Sequence, residues 1–559
     1  MLRLRLLPLL CALGLLAPAV AHAAPEPGIN LSLPFTQTDL QNVKDSGAKT
    51  ARFFMFTSND PSQFDGPVAQ LAAIGVKPVF VIVGDGANPP KTPSAVADYA
   101  AFAGRAALHF RGQVAGWEIW NEEDAPKWWA GMPQLDEDHP NRDASLYVPL
   151  LKASYAAIKA VDATTPVVIG GLTGNDYKFV QSVYDNGGGG SFDAVADHTD
   201  TACAVGSPYG YYRDTPGGPI SQWAFLGYRS VHDVMAAHGD GDKSIWLTEM
   251  GWSSYTGSCA SGKWAGQKPS GVSEADQATF TTQAFHCMAG DAYVTKVMLF
   301  KLDEDGNPDP MENAYGAVRA NGQRKAVFGA LQTYATLGDT RPAGEACGDF
   351  QGPDITISAP TDGAVFAAAL PISVSASDAS GVPRISLYID GSQTVIRNFT
   401  DKNAPGTLKG SMTWQGAKRL SVGTHKLTIT AVDPSGNVGT KTVTITKLDP
   451  RKLKAVPTSL RVTLGGSGGK RVVKVSIVRG GAGLTNVLGK LQVVFQKKVK
   501  GRWIAAHKYG RSAKGVDRHA ATFSASLNRA QWRVLVVYTT KPGTSFGSAK
   551  AISKAFSVR

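Results

Sequence analysis

Cysteine is scarce in this sequence, and long apolar runs are confined to its N-terminus. The chain has five cysteines in 559 residues. None of them form the closely spaced pairs of a structural zinc site, which excludes a zinc site of that type. Beyond residue 23, no run reaches the length of about 18 apolar residues that a membrane-spanning helix needs. We therefore expect no membrane span and no metal or other cofactor.

The N-terminal run has the pattern of a secretory signal peptide, which we assign to residues 1–23. Two arginines precede an apolar stretch that continues to Val20, and Ala21-His22-Ala23 supplies the small residues of a cleavage site. This pattern predicts a secreted or cell-surface bacterial protein. Export would also permit disulfides between the four remaining cysteines, which allow three pairings.

Acidic residues are nearly absent from the C-terminal part of the chain. Residues 451–559 contain 23 lysines and arginines but a single acid, Asp517, whereas the net charge of the whole chain is +12. Such a concentration of positive charge attracts polyanions. For an exported protein we expect an anionic cell-wall polymer or acidic polysaccharide as the partner, and not nucleic acid. The alternative is a solvated basic domain with no specific ligand.

Residues 24–348 alternate between short apolar runs and helical segments. Eight such βα units predict an α/β fold of the (β/α)8 TIM-barrel type, because strands buried on both faces are almost continuously apolar. The active site of such a barrel lies at the C-terminal ends of its strands. The predicted strands are 28–33, 51–56, 77–83, 117–122, 167–172, 192–198, 244–249 and 296–300. The predicted helices are 36–46, 67–74, 92–110, 145–161, 177–184, 221–238, 273–289 and 325–336.

This order of elements favours two of the cysteine pairings. Cys203 and Cys259 follow the neighbouring strands 6 and 7, so we expect a disulfide between them. Cys287 and Cys347 would then tie the last helices of the barrel together.

Two of the predicted strands end in a glutamate. The run Trp117–Glu122 delivers Glu122 after Asn121, and the run that begins at Ser244 delivers Glu249. Two carboxylates facing each other are what glycoside hydrolysis requires, because one protonates the leaving oxygen and the other attacks the sugar or activates water. We predict Glu122 as the acid/base and Glu249 as the nucleophile. A single Glu near a strand end would more often be a solvated surface carboxylate.

These motifs resemble those of the retaining glycoside hydrolases of clan A. Asn-Glu after an apolar strand, followed about 125 residues later by Thr248-Glu249-Met250-Gly251-Trp252, has the order of that clan. With Trp128-Trp129 after the first motif, the sequence is most similar to glycoside hydrolase family 39 and next to family 5. The resemblance implies that Asn121 hydrogen-bonds the sugar 2-hydroxyl. It also implies that Arg52 lies near the nucleophile and that His198 belongs to the site; structural roles are the alternative for both.

Further aromatic residues lie in the loops that follow the predicted strands. Trp128, Trp129 and Trp252 could stack on sugar rings, and packing within a lid is the other interpretation of each. The clan often has a tyrosine two residues after His198, but Asp200 stands there, so Tyr209, Tyr211 or Tyr212 would have to replace it.

The chain departs from the clan again after strand 8, where Phe300-Lys301 stands in place of a tryptophan. The acidic loop 303–309 then offers alternating oxygen ligands for calcium, although a solvated acidic loop fits the same residues.

Retaining chemistry places the two carboxyl groups about 5–5.5 Å apart, and inverting chemistry about 6.5–9.5 Å. The resemblance implies the shorter distance. Glu122 must carry a proton near neutral pH, so we expect burial and the charge of Glu249 to raise its pKa.

After the barrel, the sequence changes to short alternating strands separated by turns. Residues 352–449 resemble the bacterial immunoglobulin-like modules of secreted proteins, and residues 450–559 predict a second, basic β-sandwich.

Taken together, the sequence predicts a secreted retaining glycoside hydrolase that acts on O-glycosidic, β-type bonds of a poly- or oligosaccharide. The alternative is a non-catalytic carbohydrate- or wall-binding protein built on a barrel scaffold. In a third hypothesis, the basic C-terminal module is an adhesive domain and the barrel is only its carrier.

Overall fold

The computed structural model describes residues 24–133, 142–199, 206–257, 271–342, 344–367, 369–392, 394–449, 458–479, 489–514, 520–540 and 548–559. The predicted signal peptide, residues 1–23, lies outside these ranges. The chain divides into two compact units, Met1–Phe350 and Gln351–Arg559.

The first unit is a closed barrel of eight parallel strands, which confirms the predicted fold class. Each strand pairs with the next along the chain, and the first pairs with the eighth, so the sheet has no free edge. The strands are β1 (Glu26–Asn30), β2 (Thr50–Phe56), β3 (Lys77–Val83), β4 (Gly116–Asn121), β5 (Val167–Thr173), β6 (Ala194–His198), β7 (Ser244–Met250) and β8 (Val294–Leu299).

Helices follow the strands, and several begin at a side-chain cap. Thr36 opens the first helix with a capping box to Asp39, and Ser273 opens the seventh by accepting from the backbone of Asp276. None of the described helices is long and apolar enough to cross a membrane. The helices are α1 (Gln37–Ser46), α2 (Asp65–Ala73), α3 (Pro93–His109), α4 (Tyr147–Val161), α5 (Tyr177–Asp185), α6 (Tyr228–Ala237), α7 (Glu274–Ala289), α8 (Pro310–Asn313) and α9 (Ala326–Leu337).

The predicted elements agree with the observed ones to within a few residues, except at α6. The sequence predicts a helix from Ser221, but the α-helix begins at Tyr228, after a short 3-10 turn. The buried side chain of Asn175 donates to the carbonyls of Gln222 and Ala224, which holds this part of the chain as a loop.

A small apolar cluster fills the inside of the barrel. Trp246 lies in it with valine, alanine and methionine side chains from the other strands. Its indole reaches Gly116, where an added Cβ would come within 2.6 Å of the ring. This cluster packs the barrel interior below the ends of the strands where the site lies.

The predicted disulfide between Cys287 and Cys347 is confirmed, and it ties α7 to the segment that follows α9. The other predicted pair, Cys203–Cys259, lies outside the described residues.

In the second unit, residues 354–447 form two facing β-sheets with one apolar core, as predicted. Three of its strands, Ala364–Phe366, Arg397–Thr400 and Thr407–Trp414, were not predicted from the sequence. One sheet contains Ala364–Phe366, Val438–Lys447, Gly423–Val432, Arg384–Ile389 and Arg397–Thr400; the other contains Thr407–Trp414, Leu370–Ser377 and Asp354–Ala359.

Residues 458–559 form two further sheets around a separate core. A turn at Lys500-Gly501 joins the strands Gly489–Val499 and Arg502–Ser512, and both turn residues have positive φ, as a two-residue hairpin of type I′ requires. Thr458–Gly465, Lys470–Arg479 and Ala521–Ser526 form the first sheet. In the second, Arg502–Ser512, Gly489–Val499, Ala530–Thr540 and Ala549–Ile552 are neighbours in that order, and Phe556–Val558 also pairs with Ala530–Thr540.

Candidate active site

Four charged side chains meet where the strands of the barrel end. Arg52 is on β2, His198 ends β6, Glu249 is on β7, and Glu122 follows the last residue of β4. One carboxylate oxygen of Glu122, one of Glu249 and a ring nitrogen of His198 all lie within 4.8 Å of one another. The structure therefore brings together the two glutamates that the sequence singles out.

Arg52 is the hub of this cluster and is 2% exposed. Its guanidinium donates to both oxygens of Glu118 at 2.8 and 2.9 Å. It also donates to Oε1 of Glu249 at 2.6 Å and to the amide oxygens of Asn30 and Asn121. All five N–H groups of the guanidinium therefore donate hydrogen bonds. Arg52 therefore lies beside Glu249, as predicted. It also forms a structural ion pair with Glu118, which was the alternative.

His198 lies between the two glutamates and is fully buried. Its Nδ1 is 3.0 Å from Oε1 of Glu122, and its Nε2 is 3.6 Å from Oε1 of Glu249. The ring also stands 3.3 Å from a guanidinium nitrogen of Arg52. The other oxygen of Glu249, Oε2, accepts no hydrogen bond from the described residues.

Two glycines on β5 make room for this arrangement. A Cβ at Gly171 would lie 1.9 Å from Nε2 of His198, and one at Gly170 would lie 2.2 Å from Oε2 of Glu123. The amide of Gly171 also donates to Glu118, and its carbonyl accepts from the amide of Glu122. Sequence reasoning assigned these glycines only to a strand, although a Gly-Gly pair inside a buried strand indicates a close approach.

Sequence reasoning also missed Glu118 and Asn30. A signal for Glu118 was present, because a carboxylate in the middle of an apolar barrel strand needs a buried cation, and Arg52 is one. Asn30 had no comparable signal. Its amide donates to the carbonyls of Thr248 and Leu299, so it joins β1 to the strands that flank the site.

The backbone at the end of β4 is unusual. Trp120 and Glu122 have φ values of 74° and 46°, in the left-handed region that non-glycine residues seldom occupy. Such conformations are found where surrounding contacts enforce them, often at functional sites. Here they turn the Glu122 carboxylate toward His198, while the Trp120 ring remains buried and donates to the carbonyl of Trp128.

The protonation of the site differs from the sequence-based expectation. Burial would raise the pKa of Glu122, but the hydrogen bond and charge of His198 outweigh it and lower this pKa. Burial likewise opposes the charged imidazole, yet the charge of Glu249 and the bond to Glu122 raise the pKa of His198 to about 9. The carboxylates of Glu118, Glu122 and Glu249 lie around a single permanent cation, Arg52. Their excess negative charge favours one additional proton in the cluster. The cluster places that proton on His198 rather than on Glu122.

The three loop tryptophans occupy different environments. Trp129 is fully buried against Trp120 and Tyr147, and Trp252 is 2% exposed and donates to the carbonyl of Gly206. Neither ring offers a face to a sugar, so the predicted stacking role is wrong for both in this structure, and core packing is their observed role. Trp128 is partly exposed and stacks on Phe54, with ring centroids 5.7 Å apart.

The tyrosines considered as supports for Glu249 are engaged elsewhere. The hydroxyl of Tyr209 donates to Glu345, and that of Tyr211 donates to the carbonyl of Asp349. Arg52 and His198 occupy the positions beside Glu249 instead.

A cavity of about 390 Å³ opens directly beside Glu249. Phe54 lines one side of it, and Lys301, which is 6% exposed, lines another. The Lys301 ammonium donates to Asp305 at 2.6 Å, and Ser32 donates to the same carboxylate. The cavity thus combines apolar ring faces with oriented polar groups, as sugar sites do. Its remaining lining residues are Asn30, Leu31, Leu33, Arg52, Phe53, Phe56, Asn59, Phe64 and Phe300.

The acidic loop 303–309 uses its oxygens within the protein. Asp305 pairs with Lys301, and Asp309 caps the short helix α8. Asn307 accepts from the backbone of Asp309. Burial and neighbouring acids raise the pKa of Asp303 to about 7. These bonds do not leave a set of oxygens directed at one point, as calcium would require.

The central cluster contains three side chains of types that bind metals. Glu122, His198 and Glu249 could each offer one ligand atom. However, the guanidinium of Arg52 already donates to the Glu249 oxygen and lies 3.3 Å from His198. A fixed positive charge in that position repels a cation, so these residues do not fit a metal.

A second layer of buried acids lies behind the cluster. Glu123 and Asp197 are both 0% exposed, and none of the described residues hydrogen-bonds to the carboxylate of Asp197. Burial, with a contribution from Asp176, raises the pKa of Asp197 to about 8. Burial and the neighbouring charge of Asp124 raise the pKa of Glu123 well above its usual range.

Comparisons with known proteins give a family match only in the second unit. Residues 353–429 match the family model of a bacterial Ig domain. No curated protein matches the chain.

Several solved glycoside hydrolases are similar in fold. A family 39 glycoside hydrolase from Bacteroides cellulosilyticus WH2 is 17% identical with a TM-score of 0.45, covering 70% of this chain and 80% of that one. A monomeric beta-xylosidase from Caulobacter crescentus CB15 is 12% identical with a TM-score of 0.41, covering 94% and 98%. A glucosidase from Croceicoccus marinus is 14% identical with a TM-score of 0.41, covering 92% and 95%. Overlaps this loose transfer neither a substrate nor a residue role.

Proposed function

We propose that this protein is a retaining glycoside hydrolase in which Glu249 is the nucleophile and Glu122 is the acid/base. One observation carries the proposal: two carboxylates at the C-terminal ends of barrel strands have oxygens within 4.8 Å of each other, beside a cavity of about 390 Å³. This approach of the two carboxylates supports the shorter spacing of about 5–5.5 Å that retaining enzymes have.

The surroundings of Glu249 suit the role of nucleophile, whereas Glu122 receives its proton from His198. Oε1 of Glu249 is fixed by Arg52 at 2.6 Å, which leaves Oε2 to attack the anomeric carbon. As the bond from Oε2 to that carbon forms, the bond to the leaving oxygen breaks, and a proton passes to that oxygen. Water then attacks the glycosyl-enzyme, releasing the sugar with retained configuration, and Glu122 accepts the proton of that water.

His198 supplies the proton for the first step. The charge of Glu249 helps to keep the pKa of His198 at about 9. When Glu249 forms its covalent bond to the sugar, that charge disappears and His198 becomes a stronger acid. The proton can then move through Glu122, which is 3.0 Å from the ring, to the departing oxygen.

The substrate in this proposal is a poly- or oligosaccharide with β-linked sugars. Phe54 and the partly exposed Trp128 offer stacked aromatic rings near the cavity, and Asn121 is held by Arg52 next to Glu122. A bacterial Ig domain and a disulfide are consistent with an extracellular bacterial protein, and we propose secretion through residues 1–23.

The test is hydrolysis of a panel of aryl β-glycosides and β-linked polysaccharides by the mature chain, with product configuration followed by NMR. The wild type should release the β-anomer first. Glu249→Ala should lose activity by about 10⁴-fold or more, and azide should restore turnover with an α-glycosyl azide as product. Glu122→Ala with azide should instead give the β-glycosyl azide, because azide then attacks the glycosyl-enzyme.

Glu312→Gln is the matched control. This acid lies close enough for the charges of Glu249 and Glu122 to raise its pKa, although burial has the larger effect. It should retain activity within a few fold. If the wild type cleaves nothing in the panel but binds the polysaccharides, the protein is a carbohydrate-binding scaffold. Release of the α-anomer from a β-glycoside would contradict retention.

A further inference from the structure

The second sheet of residues 458–559 has one face in the core and one face outside. On Gly489–Val499 and Ala530–Thr540, the residues Leu491, Val493, Phe495, Val534 and Val536 are all fully buried. Because side chains alternate along a strand, the residues between them point away from this core. The outer face therefore consists of side chains that the domain does not need for its own packing.

Cations and one tryptophan are grouped on this outer face. Strand pairing places Gln496 beside Arg533, Lys498 beside Trp503, and Val494 between Lys508 and Leu535. We call Gln496, Lys498, Trp503, Lys508 and Arg533 the basic face.

Arg533 is held in a fixed orientation on the basic face. Its guanidinium lies over the Trp503 ring, 4.7 Å from the centroid, and its Nε donates to Gln496 at 2.8 Å. The Lys498 ammonium lies 6.0 Å from the same ring. A guanidinium oriented in this way loses little side-chain entropy when it binds a carboxylate with its remaining N–H groups.

No acid of the chain neutralises these charges in the part that the structure describes. Among the lysines and arginines from 458 onward whose side chains the structure describes, none forms an ion pair with a described residue. The sequence explains this, because Asp517 is the only acidic residue among residues 451–559. The cations of the basic face are therefore available to an external anion.

An apolar row adjoins the cations. Val494 pairs with Leu535, and Leu535 pairs with Ile552, which is 50% exposed. Sugar rings carry C–H groups on their faces and, in acidic polysaccharides, a carboxylate at their edge. The partly exposed Leu535 and the exposed Ile552, beside oriented cations, complement both.

We propose that the basic face binds an acidic polysaccharide, a chain of uronic acid sugars whose carboxylates pair with Arg533, Lys498 and Lys508. The binding site is separate from the glutamate cluster and does not depend on the function proposed for the barrel. It would hold the protein on a carboxylate-rich polymer.

The test compares two variants of the mature full chain that remove equal charge. Lys498→Gln/Lys508→Gln/Arg533→Gln removes three cations of the basic face. The control, Arg461→Gln/Lys470→Gln/Lys474→Gln, removes three exposed cations from the other sheet of the same domain. Binding to polygalacturonate is measured by calorimetry at several salt concentrations, with dextran as the neutral polymer. Duplex DNA and phosphatidylglycerol vesicles are the other polyanions.

Binding of polygalacturonate should weaken at least about tenfold in the basic-face variant and less than about threefold in the control, with dextran unbound. Arg533→Gln alone should produce a large part of the loss. Equal losses of affinity in both triple variants would overturn the proposal, because binding would then depend on the net charge of the domain and not on a site at the basic face. Tighter binding of DNA or vesicles than of polygalacturonate at the same salt would overturn it as well. Melting temperature and cleavage of a short aryl glycoside should be unchanged, so failure here is distinguishable from failure of the barrel chemistry.

Discussion

The barrel and the basic C-terminal sandwich place charged side chains in opposite surroundings. In the barrel, Arg52 is buried and bound to Glu118 and Glu249, and several acids lie in the core around them. In the described part of residues 458–559, no charged side chain is buried and no lysine or arginine forms an ion pair. A buried charge with partners fixes the geometry of a site, whereas an exposed charge without partners remains free to bind something else.

Removing the central cation of the barrel should give the largest effect. Arg52→Met leaves Glu118 and Glu249 buried without their partner. We expect the free energy of unfolding to fall by about 3–5 kcal/mol and activity to fall by at least about 10³-fold. Urea titration and kcat measure the two effects. Arg52→Lys is the control for charge alone: it should recover part of the stability but little activity, because one ammonium cannot replace five directed donors.

By contrast, the exposed cations of the sandwich should contribute little to its stability. The triple variant Arg461→Gln/Lys470→Gln/Lys474→Gln should therefore keep the free energy of unfolding of the wild type. If Arg52→Met unfolded no more easily than that variant, the contrast between the two regions would be wrong.

His198 should set the pH limit of catalysis. Its pKa is raised to about 9, so the proton of the Glu122–His198 pair is present below that pH and is lost as the pH rises through it. The alkaline limb of kcat/KM for the wild type should therefore lie near pH 9. In His198→Asn, Glu122 must hold the proton itself, so the limb should move to lower pH and kcat should fall by about 10²-fold. An unchanged limb in this variant would show that another group carries the proton.

Lys301 should affect substrate binding more than chemistry. It lies in the cavity beside Glu249, paired with Asp305, and is 6% exposed. Lys301→Met should raise KM by about tenfold, with kcat changed much less, because the lost interactions are made in both ground and transition states.

Lys296→Met is the matched control for Lys301→Met. Lys296 is on β8, the strand that ends two residues before Lys301, and its ammonium pairs with Glu26 rather than with a residue of the cavity. Steady-state kinetics on the best substrate of the panel distinguishes the two. A similar KM for both variants would show that Lys301 does not contribute to sugar binding.

The smallest effect concerns Asp197. Burial raises its pKa to about 8 in the folded protein, from about 4 in the unfolded chain. Its neutral form stabilises the fold below pH 4, and this contribution is lost as the pH rises toward 8. Melting temperature should therefore decline between about pH 4 and pH 8, and Asp197→Asn should flatten part of that decline.

The exposed Asp98 on α3 provides the control for this measurement. Asp98→Asn should leave the pH dependence of melting unchanged. A profile for Asp197→Asn that is parallel to the wild type would show that the buried carboxyl does not contribute.

Much of this fold could be predicted because local patterns and the barrel agree. The strand Lys77–Val83 was predicted to the residue, since its five consecutive strand-forming residues, Val79–Val83, lie between Gly75 and Gly84. The meeting of Glu122 and Glu249 was predictable because parallel strands end on one rim.

Other features depend on contacts between distant residues. The lowered pKa of Glu122 requires knowing that His198 is 3.0 Å away, and the burial of Trp129 requires knowing the packing of Tyr147. The bonds of Arg52 to Asn30 and Glu118 likewise join three strands. Sequence spacing gives the order of such residues but not the atoms that they contact.

The disulfide between Cys287 and Cys347 closes a loop of 60 residues that includes β8 and α9. Closing a loop of that length lowers the entropy of the unfolded chain, which raises the free energy of unfolding by about 4 kcal/mol. Protein that folds in a reducing cytosol lacks this disulfide and should therefore melt at a lower temperature. Adding a reductant to the oxidised protein should lower its melting temperature in the same way. The melting temperature of the protein therefore depends on whether it folded where this disulfide can form, so recombinant protein should be prepared under oxidising conditions.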